Sequence, residues 1–249
     1  MKHPERLINM NHILLMMGGT GTRFGADRPK QYTLIKDRPL FSYILSRLDR
    51  YEKLDSVVIV THADWYDYAC EWSAKALKNI TFHVVCGGEN RSQSVRNGLK
   101  KLAEYANEKD VVMIHDATHP YVDEKGMDGI IEAVNEYGGA TLASRNYDTV
   151  YRINEKGFLE KVEPRQFIVA GASPEAFRFG DIYKIYTESS DEELSTMTSA
   201  GAIALAHDIP MKAIDAGVLN LKITYAGDMD LFLALAENYF FPDDMSKEI

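Results

Sequence analysis

The chain has 249 residues, of which 45% are hydrophobic and 26% charged, and a formal net charge of −9. That balance fits one sizeable α/β domain, or one domain with an appendage, and speaks against general nucleic-acid binding, which needs a basic face. A small basic pocket for an anion remains compatible with it, while two cysteines, Cys70 and Cys86, are too few for a disulfide framework. Neither cysteine has a second Cys or His at ligand spacing, so both are expected to be buried structural thiols. The segment Met1 to Arg6 is polar and the first apolar run is short. This reads as neither signal peptide nor membrane span, and a cytoplasmic location is the default expectation.

In chain order, Ile13 to Met17 is an apolar run expected to form a buried strand, followed at once by the glycine-rich stretch Gly18-Gly19-Thr20-Gly21-Thr22-Arg23 and then by Pro29-Lys30-Gln31. Residues 39–48 have helical apolar spacing, with Pro39 near the start. Ser56 to Thr61 is β-branched and reads as a second buried strand. Asp64 to Leu77 reads as a helix whose Trp65, Tyr68 and Trp72 share one face, expected to pack into the core. A third strand is expected over residues 81–85, ending at Gly87-Gly88, then a helix over 92–105. Val111 to Asp116 is a fourth strand that ends in the polar pair His115-Asp116, followed by a helix over 126–137 and a short strand over 140–143. Strands alternating with helices imply βαβ units and a mainly parallel sheet.

From Asp148 onward the pattern changes. Residues 149–153 and 158–162, joined by Asn154-Glu155-Lys156-Gly157, read as a projecting β-hairpin arm. Helices are expected over 177–188 and 198–206, a short strand over 221–224, and a closing helix over 228–239 with Asp228 as its N-cap. The tail from Pro242 is polar and expected to be loose.

In an open α/β sheet, ligands bind beyond the carboxyl ends of the strands. Three such ends carry polar groups: the Gly18–Arg23 loop, the segment from Gly87 to Ser94, and His115-Asp116-Ala117. Glycines let backbone N–H groups approach a phosphate, and Arg23 and Lys30 can add charge, so a nucleoside triphosphate is the expected ligand class. The loop is not a P-loop, because no Gly-Lys-Ser/Thr ending follows. Ser94 can bond a base or ribose and Arg91 can hold its segment or contact phosphate; alternatively the segment is only a turn and N-cap leading into a helix. Asp116 can position a substrate hydroxyl or share a metal ion, whereas His115 is expected to be a satisfied, partly buried histidine. Lys222 interrupts an apolar stretch, so its ammonium is expected either to be paired, by a phosphate for instance, or to reach solvent from an edge strand.

From about Ile13 to Ala236 the sequence resembles the cytidylyltransferases that activate polyol phosphates, those of methylerythritol 4-phosphate and ribitol 5-phosphate. The resemblance lies in the order and spacing of Gly18 to Arg23, Pro29-Lys30-Gln31, Gly87-Gly88 with Arg91 and Ser94, His115-Asp116-Ala117, Asp148-Thr149, Arg165, and Asn220-Leu221-Lys222-Ile223-Thr224. It implies a Rossmann-like sheet of the nucleotide-diphospho-sugar transferase type over residues 1–249, as a single domain with a dimerisation arm at about 145–170. It further implies a homodimer in which each arm reaches over the other subunit's substrate site, with CTP and a polyol phosphate as ligands and Mg2+ as cofactor. By the same resemblance Arg23, Lys30 and Lys222 serve catalysis. Gly18, Gly19, Thr20, Gly21, Thr22, Gly87, Gly88, Arg91 and Ser94 bind CTP, and Asp116, His119, Thr149 and Arg165 bind the acceptor. A nucleotidyltransferase using another base, or a non-catalytic nucleotide-binding regulator, are the alternatives.

This sequence departs from the family pattern at several places. His119 stands where an arginine is usual, and a histidine is expected to be charged only part of the time near neutral pH. Ala172-Ser173-Pro174-Glu175 replaces Gln-Thr-Pro-Gln, and Met197-Thr198-Ser199 lacks an acidic group. Met17 replaces a small residue and is expected to narrow the nucleotide pocket. Most of these changes fall on the acceptor side, so an altered acceptor is expected.

Overall fold

In the computed structural model of the chain, the described residues are 9–19, 28–217 and 220–241. The strands are β1 (Asn11–Met17), β2 (Leu34–Ile35), β3 (Arg38–Pro39), β4 (Ser56–Thr61), β5 (Thr81–Cys86), β6 (Val111–Asp116), β7 (Gly139–Arg145), β8 (Val150–Ile153), β9 (Leu159–Glu163), β10 (Val169–Arg178) and β11 (Met211–Asp215). The helices are α1 (Leu40–Leu48), α2 (Tyr66–Ala76), α3 (Arg91–Leu102), α4 (Glu124–Tyr137), α5 (Phe179–Glu188), α6 (Asp191–Ser195), α7 (Ala200–Ala206) and α8 (Ala226–Leu235). Among the described residues, seven strands form one sheet in the order β11-β7-β10-β6-β1-β4-β5. β10 runs antiparallel to both its neighbours and the other pairs are parallel, so the sheet is the expected mainly parallel one.

The central strands are buried on both faces, which is why they read as unbroken apolar runs. Along β1, Ile13, Leu15 and Met17 point into one core layer with residues of α1, α2 and α4. Leu14 and Met16 point into the other, with α3, α5 and α7. Trp65, Tyr68 and Trp72 pack against the first layer as expected, and Trp65 stacks on buried Tyr32 at 4.3 Å between ring centroids.

Among the described residues the hairpin of β8 and β9 pairs only with itself and leaves Ile153, Phe158, Leu159 and Val162 exposed. Its turn forms for local reasons. Asn154 Oδ1 accepts from the backbone N–H groups of Lys156 and Phe158, both at 3.0 Å, and Gly157 takes a φ of +82° that other residues resist.

Several expectations are corrected. Residues 169–178 form a ten-residue strand, so Phe177 belongs to β10 and not to a helix. Gly171 and Pro174 disguise this strand, and the register slips between Gly171 and Glu175. Edge strand β11 was also not anticipated, because its Lys212 and Asp215 interrupt the apolar pattern. Residues 221–224 are not a strand. Asp228 is not the N-cap of α8: Tyr225 holds that place, and the Asp228 carboxylate accepts from the N–H groups of Thr224 (2.7 Å) and Tyr225 (2.8 Å) from within the first turn. Cys86 is exposed and Cys70 half-buried, so neither is the sealed thiol expected. Among the described residues no helix is long and apolar enough to cross a membrane.

Candidate active site

At the carboxyl ends of β1 and β6 lies a pocket of about 880 Å³. Gly18, Gly19, Lys30, Gly88, Arg91, Ser94, Asp116, His119 and Lys222, all anticipated from the sequence, line it together. Thr20, Gly21, Thr22 and Arg23 lie outside the described residues. Thr149 and Arg165 do not line this pocket. Thr149 is exposed at the base of the arm, and Arg165 donates to the carbonyl of Tyr147.

The last strand turn of β1 is pinned from the side. Gln31 Nε2 donates to the carbonyl oxygens of Met17 and Gly19, both at 2.7 Å. Gln31 shares a short helical turn (Lys30–Tyr32) with Lys30, so the amide fixes the glycine edge relative to that lysine. Tyr32 in the same turn is buried, its hydroxyl 2.5 Å from Thr61 Oγ1. Burial pushes its pKa up to about 12, so the phenol stays protonated. Met17 borders the pocket, yet it is 1% exposed and its side chain belongs to the core layer of Ile13 and Tyr32. The expected narrowing is therefore absorbed by the core.

After β5 the chain turns through Gly87-Gly88 into α3, whose N-cap Asn90 accepts from Gln93 N–H at 2.9 Å. Ser94 Oγ donates to the Asn90 carbonyl (2.8 Å) and accepts from Gly88 N–H (3.0 Å). The hydroxyl is thus engaged in holding the turn that leads into α3, with Asn90 and not Ser94 as the cap. A Cβ on Gly87 would come within 2.7 Å of that oxygen, so glycine is required by close approach.

Asp116 ends β6. Its Oδ1 accepts from Arg91 at 3.0 Å and its Oδ2 from Lys222 at 3.3 Å. Burial alone would raise its pKa, but Arg91 and Lys222 outweigh this and hold it at about 2. Asp116 is therefore a carboxylate at neutral pH, and Lys222 is paired with it from an irregular segment, not from a strand. Behind it runs a chain of buried bonds. Asp116 N–H donates to Ser173 Oγ (3.0 Å), that hydroxyl lies 3.0 Å from His115 Nδ1, and His115 Nε2 lies 2.9 Å from the His119 carbonyl. With Nε2–H donating to the carbonyl, Nδ1 accepts from the serine, and His115 is the satisfied histidine expected, though fully buried. Burial lowers its pKa.

His119 is corrected more sharply. It is 5% exposed, and Nδ1 lies 3.0 Å from Asn220 Oδ1. Burial first, then the neighbouring His115, bring its pKa down to about 3. The ring is neutral throughout the physiological range, not partly charged.

Sequence reasoning gave no role to Ser173, Gln31, Asn220 or Glu175. Glu175 lines the same pocket, with Oε2 accepting from Ala200 N–H (3.1 Å) and Oε1 from Gly201 N–H (3.0 Å) at the start of α7. That anchors Thr198 and Ser199 on the pocket wall. Signals for the residues given no role were nevertheless visible: Gln31 follows Pro29-Lys30, Asn220 lies two residues before Lys222, and Ser173 and Glu175 stand in the segment that replaces Gln-Thr-Pro-Gln.

A glycine-edged pocket at the carboxyl ends of a Rossmann-like sheet, with Lys30, Arg91 and Lys222 on its walls, defines an α/β protein suited to anionic ligands. A family model described as 2-C-methyl-D-erythritol 4-phosphate cytidylyltransferase matches residues 11–240. A protein of that name from Thermotoga neapolitana is 30% identical over 232 residues, covering 92% of this chain and 98% of the relative. A ribitol-5-phosphate cytidylyltransferase from Lacticaseibacillus paracasei is 28% identical over 229 residues, covering 89% and 95%. The crystal structure of 4-diphosphocytidyl-2C-methyl-D-erythritol synthase from Anaerococcus prevotii superposes with a TM-score of 0.77 at 21% identity, covering 92% of this chain and 96% of that one. The chain belongs to the 2-C-methyl-D-erythritol 4-phosphate cytidylyltransferase family, and is an enzyme of the nucleotidyltransferase class.

Proposed function

We propose that this enzyme transfers CMP from CTP to a phosphorylated polyol, releasing pyrophosphate and a CDP-polyol. The observation that carries the reading is the meeting of Lys30, Arg91 and Lys222 in the lining of one glycine-edged pocket, with Arg91 and Lys222 bonded to the Asp116 carboxylate. A phosphate monoester has its second pKa near about 6, so at neutral pH the acceptor is already a competent nucleophile and no general base is needed. Asp116, ionised and bonded to two cations, serves to aim Arg91 and Lys222. An acceptor phosphate oxygen forms a bond to the α-phosphorus, the bond from that phosphorus to the β-bridging oxygen breaks, and pyrophosphate leaves with the electron pair. Lys30, Arg23, Arg91 and Lys222 offset the negative charge that gathers as the two anions approach.

Both oxygens of Asp116 face cations and both of Glu175 face backbone N–H groups. This donor set does not suit a resident divalent ion, so Mg2+ is taken to enter as the magnesium complex of the nucleotide, a habit of that ion with phosphates. Thr149 and Arg165 are assigned to the pocket of a second copy, reached by the arm. The exposed apolar residues of the hairpin support such a dimer.

The test is pyrophosphate release from CTP, with ATP, GTP and UTP as controls, over a panel of polyol phosphates that includes methylerythritol 4-phosphate and ribitol 5-phosphate. Release with CTP and one acceptor is expected. CTP binding by calorimetry without release from any acceptor would mark a regulator instead, and preference for another nucleotide would replace cytosine. Mixing Lys30→Ala and Arg165→Ala chains is expected to restore turnover that neither has alone; failure to do so removes the arm exchange.

A further inference from the structure

His119 is held in one tautomer by its surroundings. An amide oxygen only accepts, so the 3.0 Å bond to Asn220 Oδ1 places the ring proton on Nδ1. Nε2 is then a lone-pair acceptor. It has no hydrogen-bond partner among the described residues, and the ring lines the pocket. The backbone around it is fixed. His119 N–H donates to the Asp116 carbonyl (2.9 Å), and Ile223 N–H donates to the Thr118 carbonyl (2.8 Å). Asn220 is bonded to the ring and the His115 ring lies 6.2 Å away between centroids, while Asp116 and Lys222 are the charges that act on it.

A neutral acceptor atom repels a phosphate oxygen, which also presents only lone pairs. It attracts an O–H. We infer that His119 Nε2 accepts a hydrogen bond from a hydroxyl on the carbon chain of the acceptor, while the acceptor's phosphate lies toward Arg91 and Lys222. This rests on the cytidylyl-transfer reading and narrows it. The acceptor is a phosphorylated polyol that presents a hydroxyl to this ring, in a pocket whose lining also includes Thr118 and Ser144. The histidine is thus no weakened substitute for an arginine; it selects a different group.

The experiment uses the full-length enzyme, saturating CTP and the best acceptor of the panel. His119→Phe is expected to raise the acceptor KM about five- to tenfold, with kcat changed by less than about twofold, as suits one neutral hydrogen bond. The KM for CTP is expected to stay unchanged. His119→Gln keeps an acceptor atom and is expected to recover most of the loss. Among monodeoxy acceptors, the one lacking the contacted hydroxyl is expected to be penalised with wild type and not further penalised with His119→Phe, the coupling expected of a direct contact. The pH profiles of acceptor KM for wild type and His119→Gln are expected to run parallel. An unchanged KM in His119→Phe, a lower KM in His119→Arg, or a pH dependence that the glutamine variant loses would each overturn the inference and leave cytidylyl transfer standing. Absence of pyrophosphate release from every acceptor removes both.

Discussion

Strand β6 carries an aspartate at each end, and the two are managed in opposite ways. Asp110, just before the strand, is 2% exposed; its oxygens accept from the N–H groups of Met10 (2.9 Å) and Asn107 (2.8 Å). Beside it His12 is sealed from solvent, with Nδ1 2.8 Å from Ser56 Oγ and Nε2 3.4 Å from Asp110. Asp116, at the other end, is bonded to two side-chain cations, and a quarter of its side-chain surface is open. Backbone donors cannot leave, so the Asp110 cluster can only hold the strand ends together. Arg91 and Lys222 sit on side chains that can turn to a ligand, so the Asp116 cluster keeps charge in reserve. A histidine beside an aspartate is not a site by composition; whether its partners can be released is what separates the two.

The strongest way to break this comparison is to remove cations from the pocket, Lys222 from the Asp116 cluster and Lys30 from the glycine edge. Lys30→Ala and Lys222→Ala are each expected to lower kcat by about 10²- to 10³-fold, the loss typical of a positioned charge-stabilising group. Lys222 is half exposed, so calorimetric unfolding of its variant is expected to shift by less than about 2 °C. Near-normal turnover in purified Lys30→Ala would end the proposed mechanism. Asp110→Ala is expected to do the reverse. It leaves buried N–H groups unpaired at a cost of about 2–4 kcal/mol in urea unfolding, with CTP affinity of the folded protein unchanged.

Acid sharpens the comparison next. Burial lowers the pKa of His12 against the pull of Asp110 and Asp55, and lowers those of His115 and His119 beside Asp116 and Lys222. Below about pH 6.5 the unfolded chain therefore binds protons that the folded chain refuses, so stability present above that pH is lost as pH falls. Calorimetry between pH 7 and 5 is expected to show Tm falling by about 5 °C or more. Replacing His12 is expected to flatten that slope without touching kcat. The smallest effect belongs to Glu175→Gln, which keeps one acceptor for α7 and loses the charge at its N-terminus. About 0.5–1 kcal/mol of stability is expected to go, read in the same urea titration.

The central strands and most helices were legible because burial on two faces leaves continuous apolar runs, and caps such as Asn90 are local. β10 was hidden by its glycine, proline and glutamate, since its pairing with β6 and β7 depends on residues far away in the chain. The site was legible where it follows a strand directly, as at Gly18, Gly88 and Asp116. Ser173, Glu175 and Asn220 stand in segments that the resemblance marks, but they act through bonds to distant residues, so their partners and roles are not written nearby in sequence. The charge state of His119 was misjudged for the same kind of reason, because burial is not written in a residue's neighbours.

One planar side chain has a mechanical consequence. Gln31 grips both Met17 and Gly19 while its own turn is anchored by Tyr32 wedged on Trp65. A tug on Lys30 is therefore passed to the glycine rim through the Gln31 amide, seconded by the Tyr32 hydroxyl on the Met17 carbonyl, so the two edges of the cleft are geared to move together.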